Sequence, residues 1–189
     1  STLLIQYKGV NILTDPHLTQ RASPFSFAGP KRYTSPGLSL DDLPIIDLIL
    51  ISHNHYDHLD ELTIKTIIKN QPDKPPNIFV PLKLKQWFFD LGITNITELD
   101  WQESIKFGEW EVHAVPVQHW SARTPFDRNK TLWAGWVLET EGFRFFFAGD
   151  TGYSKDFKNL GEKFGQFDLA AIPIGAYEPR WFMKDAHVN

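Results

Sequence analysis

Apolar residues in this chain gather into short runs separated by turn residues, and the runs differ in kind. Residues 2–7 and 10–14 predict a hairpin turning at Lys8-Gly9. "LTDP" closes its second strand, with Pro16 as the breaker. "DLILIS" at 47–52 is continuously apolar, the pattern of a strand buried on both faces. "NIFVP" is a second such strand, and "FDLAAIPI" is read as a last buried one. "SIKFGEWEVHAVPV" predicts two strands around Phe107-Gly108, and 131–139 with 143–148 a hairpin across "TEG". Helical spacing covers 60–70, 82–91 and 154–164. Residues 17–40 are broken by Pro and Gly. A loop of that length inside a compact domain is functional or disordered, and Phe25, Phe27 and Tyr33 weigh against disorder.

Strands come first, then strands alternate with helices. That order predicts mixed sheets with helices outside, an α/β layered sandwich. The 189 residues suit a single domain, 1–189, without repeats or linkers.

Composition narrows the classes. A net charge of −4 gives no case for a nucleic-acid partner. The absence of Cys excludes disulfides and thiolate metal sites and fits a reducing compartment, cytoplasmic or peripheral to a membrane. No apolar run reaches the roughly 18 residues of a membrane-spanning helix. Both the start at Ser1 and the ending "KDAHVN" read as cut ends.

The chemistry concentrates in "ISHNHYDHLD", residues 51–60. His53, His55, Asp57 and His58 follow a buried run, and imidazole with carboxylate is the usual zinc donor set. In an extended segment 53, 55 and 57 share a face, whereas His58 points away. A tight loop is needed to aim two pairs of donors at two adjacent ions. The bland alternative is a solvated His-rich loop. His119 and Asp150 also sit just past apolar runs, where strand ends converge on one rim, with Asp150 placed to bridge. Alone, each reads equally as a loop residue, and "GDTG" as a plain turn.

H-x-H-x-D-H at 53–58, His119 and the Asp of "FAGDTGY" resemble the metallo-β-lactamase superfamily pattern. "GPKRYTSP", "QHWSARTPFDRNKTLWAGW" and "FGQFDLAAIPIGAYEPRWFMKDAHVN" are similar, more narrowly, to the N-acylphosphatidylethanolamine-hydrolysing phospholipase D family and its bacterial relatives. The resemblance implies a metallo-β-lactamase-like αββα four-layer sandwich, incomplete at both ends. It implies two Zn²⁺, or other divalent transition metals: His53, His55 and His119 on one, Asp57 and His58 on the other, Asp150 bridging. A last histidine for the second ion is expected downstream of Asn189.

The implied reaction is phosphodiester hydrolysis by a metal-bridging hydroxide. His187, or a metal-bound water, is the candidate proton donor and Asp57 a catalytic carboxylate; His187 can also be a terminal loop residue. Tyr56, Arg123, Lys130, Arg180 and Trp181 are candidates for holding substrate, with helix capping, salt bridges and core packing as their bland readings. Trp120, Trp133, Trp136, Phe182 and Met183 line an acyl groove or fill core. Asp15 and His17 are candidate supports behind the ligands, and His113 is read as an ordinary sheet residue. A phospholipid substrate brings peripheral membrane contact, although no amphipathic anchor is evident. A homo-oligomer is compatible with the sequence. The alternatives are another hydrolase of the fold, lactonase or nuclease, or a metal-binding but inactive fragment.

Overall fold

The computed structural model describes residues 2–188. Ten strands form two five-stranded sheets. The first holds β1 (Leu3–Tyr7), β2 (Val10–Thr14), β3 (Leu48–Leu50), β4 (Asn77–Pro81) and β5 (Ile96–Leu99), in that order. The second holds β6 (Ser104–Phe107), β7 (Trp110–Val115), β8 (Gly135–Thr140), β9 (Phe143–Phe147) and β10 (Leu169–Ala171), in the order β10-β9-β8-β7-β6. Helices α1 (Glu61–Asn70) and α2 (Lys85–Asp90) join strands of the first sheet, and α3 (Asp156–Phe164) joins β9 to β10. A short α4 (Arg180–Met183) follows β10.

Period-two alternation sorts the apolar residues into layers. Ile12, Leu48, Leu50 and Phe79 of the first sheet meet Val112, Trp136, Leu138, Phe145 and Phe147 of the second in one buried cluster. Their strand neighbours Leu13, Ile49, Ile78 and Val80 pack instead with Ile64, Ile67 and Phe88 of the helices. Val137 and Phe146 meet Leu160 and Phe164 of α3. The layers are therefore helix, sheet, sheet, helix, and "DLILIS" reads as continuously apolar because both its faces are covered. The indole N–H of Trp136 donates to the carbonyl of Ile51 at 3.0 Å, tying the two sheets together at the end of β3.

Strand direction sets where the chemistry lies. β2, β3, β4 and β5 run parallel. In the second sheet β7 and β9 both pair antiparallel with β8, and β10 runs parallel to β9. The carboxyl ends of β2–β5 in one sheet, and of β7, β9 and β10 in the other, thus share an edge, where ligand sites of open α/β sheets form.

The expected strands and helices form, with three differences. "ITEL" adds the edge strand β5, too short and mixed to stand out as apolar. The four residues of α4 carry no readable helical period. β10 was expected to be buried, yet Leu169 is about half exposed (48%) and Ala170 lies open. Its apolar residues lie at an outer edge where, among the described residues, only β9 pairs with it. Among the described residues no helix is long and apolar enough to cross a membrane.

Candidate metal centre

Each candidate ligand lies on a loop that leaves a strand end. His53 follows β3 by way of Ser52, whose carbonyl accepts from Ala134 N at 2.8 Å. His55, Asp57 and His58 occupy a tight turn in which the N–H groups of His58 and Leu59 both donate to His55 O, at 3.0 and 2.8 Å. That turn brings His58 back to the side of Asp57. His119 follows β7, and Asp150 follows β9 through Gly149. Gly149 has φ +63, and a Cβ there would lie 2.5 Å from Ser52 Cβ. Only glycine lets the two strand ends approach this closely.

Two donor sets result. His53 Nε2 and His55 Nδ1 are 2.8 Å apart, and His119 Nε2 is 3.4 Å from the same His55 nitrogen. On the other side His58 Nε2 lies 3.4 Å from Asp57 Oδ2 and 3.2 Å from Asp150 Oδ2. Asp150 Oδ2 is also 3.9 Å from His119 Nε2, so it stands between the sets. His187 Nδ1 is 3.9 Å from the same oxygen. Donor atoms of His53, His55 and His119, and of Asp57, His58 and Asp150, each lie within 4.8 Å of one another.

The far side of His53, His58 and His119 carries a partner for Nδ1. Ser52 Oγ donates to Asp15 Oδ2 at 2.5 Å, so it accepts the Nδ1 proton of His53 at 2.8 Å. His58 Nδ1 donates to Asp15 Oδ2 at 2.6 Å. His119 Nδ1 donates to the carbonyl of Ala186 at 3.1 Å. The Nε2 atoms of His53 and His119 therefore turn lone pairs inward, while His58 Nε2 carries a proton toward Asp150 until a cation replaces it. Nitrogen lone pairs crowding one point repel unless a cation lies among them, so the donor set fits a divalent transition metal. Asp15 itself is fully buried and also accepts from Ser52 N at 2.6 Å. The sequence suggested Asp15 as a support. Ser52 went unnoticed, because a Ser closing an apolar run carries no signal of its own.

Charge follows the same geometry. Burial, with the neighbouring imidazoles, holds His53 well below its ordinary value. Burial likewise pushes His55 and His119 down to about 4. For His58 burial acts downward, but Asp15 and Asp150 outweigh it and raise the imidazole well above its ordinary value. Burial would raise Asp150, yet the hydrogen bond from His58 holds its carboxyl at about 2. The same opposition, won by His58, keeps Asp57 below the usual carboxylate range.

A cleft of about 950 Å³ opens over the centre, walled by His55, Asp57, His58, His119, Asp150 and His187. Leu3, Leu13, Leu18, Leu38, Leu43 and Ile174 make its apolar part. Trp120 also lines it, with its ring 4.3 Å from that of His55. Trp136 is core, and Trp133 is anchored by its N–H to Val117 O.

The candidate substrate residues sit elsewhere. Arg123 does not wall the cleft. Its guanidinium donates to the carbonyls of Asn54 and Leu59, at 2.9 and 2.8 Å, and stacks over Tyr56 at 4.0 Å and Trp87 at 5.0 Å. Arg123 and Tyr56 thus clamp the ligand loop from behind. Arg180 donates to His187 O at 2.9 Å and holds that residue's backbone, while Trp181 is 80% exposed outside the cleft. Lys130 is exposed, and His113 is buried with Nε2 3.0 Å from Glu139. Among the described residues the Lys or Arg on the cleft wall is Arg32, which the sequence alone did not single out. It donates to the carbonyl of His17 at 2.5 Å and meets His17 Nδ1 at 3.2 Å. Its signal lay in "GPKRYTSP", inside the long loop rather than near any histidine.

Residues 10–189 match the family described as the beta-lactamase superfamily domain, and the chain belongs to that family. It is 48% identical to "N-acyl-phosphatidylethanolamine-hydrolyzing phospholipase D 1" of Caenorhabditis elegans, over 100% of this chain and 55% of that protein. It is 37% identical to the mitochondrial "N-acyl-phosphatidylethanolamine-hydrolyzing phospholipase D" of Saccharomyces cerevisiae, over 97% of this chain and 40% of that one. The chain thus spans about half the length of these curated relatives, or less. Its fold is shared with the crystal structure of the metallo-beta-lactamase fold protein YhfI from Bacillus subtilis, at a TM-score of 0.64 and 16% identity, over 100% of this chain and 69% of YhfI. The expected αββα architecture is accordingly the one found.

Proposed function

We propose that this chain carries the two-metal centre of a zinc-dependent phosphodiester hydrolase of the phospholipase D type, acting on N-acylphosphatidylethanolamine-like lipids. One observation carries the reading: Asp150 Oδ2 stands 3.2 Å from His58 Nε2 and 3.9 Å from His119 Nε2, between the His53–His55–His119 triad and the Asp57–His58 pair. A carboxylate shared between two donor sets suits a pair of ions, not one. The names of the two phospholipase D relatives support the lipid as substrate.

His53, His55 and His119 would hold one zinc, Asp57 and His58 the other, with Asp150 shared. Such a pair, when bound, activates water and offsets charge on the phosphoryl oxygens. Asp57 and Asp150 arrive ionised, because His58 holds both below the usual range. His187, 3.9 Å from Asp150 on the cleft wall, is placed to give a proton to the departing alcohol. Arg32 supplies a cation toward the phosphate. The leucines and Ile174 of the cleft receive acyl chain, and Trp120 adds aromatic wall.

This enzyme would work at the surface of a membrane, in a reducing compartment. The test is hydrolysis of N-acylphosphatidylethanolamine in mixed micelles, set against a cyclic lactone, with zinc supplied. Release of an N-acylethanolamine that disappears in His53→Ala is the expected result. Hydrolysis undiminished in His53→Ala, or hydrolysis of the lactone alone, contradicts the proposal.

A further inference from the structure

The long loop after β2 holds a built element whose tip, residues 22–31, does not line the cleft. Its two arms are paired: Ala22 N donates to Pro30 O at 3.0 Å, Arg32 N donates to Gln20 O at 2.9 Å, and Arg21 bridges Lys31. The tip is fixed as well. Arg21 donates to Gly29 O at 2.7 Å, and Gly29 has φ +92 with Ser23 packed against its Cα. A hairpin so braced is not a floppy loop, yet it presents its largest side chains to solvent. Phe27 is 79% exposed, Phe25 is 56% exposed and Tyr33 is fully open. Phe25 and Phe27 touch each other, with ring centroids 5.6 Å apart. Aromatic rings held outward in contact with one another form a patch that needs an occupant.

Charge says which occupant. Between Asp15 and Asp41 there is no acidic residue, while Arg21, Lys31 and Arg32 are all there. The chain as a whole has a net charge of −4, so this hairpin is a local exception. Exposed aromatics beside lysine and arginine, with no acid, suit the interface of a bilayer bearing anionic headgroups. The same loop supplies cleft wall through His17, Leu18, Arg32, Pro36, Gly37 and Leu38. A membrane under the hairpin would therefore lie against the mouth of the cleft.

We propose that residues 22–33 are a membrane-docking hairpin, in which Phe25, Phe27 and Tyr33 enter the headgroup region of an anionic bilayer while Lys31 stays with its phosphates. The surface rests on the lipid reading above and adds the part of the molecule that meets the lipid.

The test is sedimentation with vesicles of phosphatidylcholine plus phosphatidylserine, against phosphatidylcholine alone. Wild type should favour the anionic vesicles and lose most binding as salt is raised. Phe25→Ser with Phe27→Ser should lower partition at least about tenfold. Lys31→Ala should lower it about fivefold on anionic vesicles and leave neutral ones unchanged. The chain has no Cys, so a polarity-sensitive fluorophore on Phe27→Cys reports the tip alone. Its emission should shift to the blue with anionic vesicles at any protein concentration. A shift that tracks protein concentration without vesicles would show a second copy as the occupant and overturn the proposal. So would undiminished partition of the double variant. Hydrolysis of a short-chain, monomerically dissolved substrate separates the two readings. A double variant that keeps it but fails on vesicles supports docking. A wild type that binds vesicles through the hairpin yet cleaves no lipid leaves docking standing and removes the proposed activity.

Discussion

Asp15 Oδ2 accepts hydrogen bonds from both His58 Nδ1, at 2.6 Å, and Ser52 Oγ, at 2.5 Å. Through Ser52 that one carboxylate also orients His53, so a residue outside both donor sets holds one histidine of each. Partners behind metal-bound histidines typically matter by 10–100-fold in affinity. Asp15→Asn should therefore weaken binding of both ions by about 10–100-fold, measured by competition with a chromophoric chelator. Unchanged affinity would show that the histidines hold their orientation without it.

The tautomers and charges set the proton traffic of metal uptake. His53, His55 and His119 are neutral at pH 7, because burial holds all three well down. His58 is protonated there, raised by Asp15 and Asp150 against its burial. Loading the metal-free protein at pH 7 should then release one proton from His58 and up to about one more from the water that the ions activate. Calorimetry in buffers of different ionisation enthalpy counts them.

Stability of the metal-free protein should fall on mild acidification. His55 and His119 keep a folded value of about 4 against 6.5 in the free chain. Between those values the unfolded chain binds more protons, so folding weakens as pH drops. His58, raised, acts in the opposite sense: its share is full below 6.5 and is lost as pH rises through its folded value. The depressed histidines outnumber it, since His53 sides with them. The urea midpoint of stripped protein should be lower at pH 5 than at pH 7, and a higher one would contradict this balance.

Much of the site was legible because its residues are marked twice, by type and by place. His53, His119 and Asp150 each follow an apolar run, and parallel strands deliver such positions to one edge. The layered fold was legible from runs covered on both faces. What escaped depends on contacts distant in sequence. Nothing local tells that Arg123 reaches back to Asn54 and Leu59 instead of forward to a phosphate, because a guanidinium serves either end. Nothing local selects Arg32 over Lys130 as the cleft cation. The openness of β10 was hidden for a related reason: "FDLAAIPI" is apolar whatever lies beside it.

The Arg123 clamp has its own test. Arg123→Met removes two charged hydrogen bonds and two ring contacts, and should cost about 2–4 kcal/mol of stability. Arg123→Lys should recover only part, since an ammonium cannot span both carbonyls while stacking on Tyr56. Denaturant unfolding reads both. A change confined to KM, with stability intact, would instead make Arg123 a substrate residue.

Gly149→Ala should cost about 1–3 kcal/mol through its left-handed backbone. The added Cβ, 2.5 Å from Ser52 Cβ, should also push Asp150 off its position between the donor sets. Metal affinity should fall together with stability, whereas loss of stability alone would mean that the strand end relaxes without moving Asp150.

The central claim is a pair of ions sharing Asp150, and metal content tests it most directly. The full-length protein, loaded with zinc and exhaustively dialysed, should carry close to two equivalents by elemental analysis, with His119→Ala and His58→Ala each retaining about one. A single equivalent in the wild type, or less than about half of one, would contradict a two-metal centre.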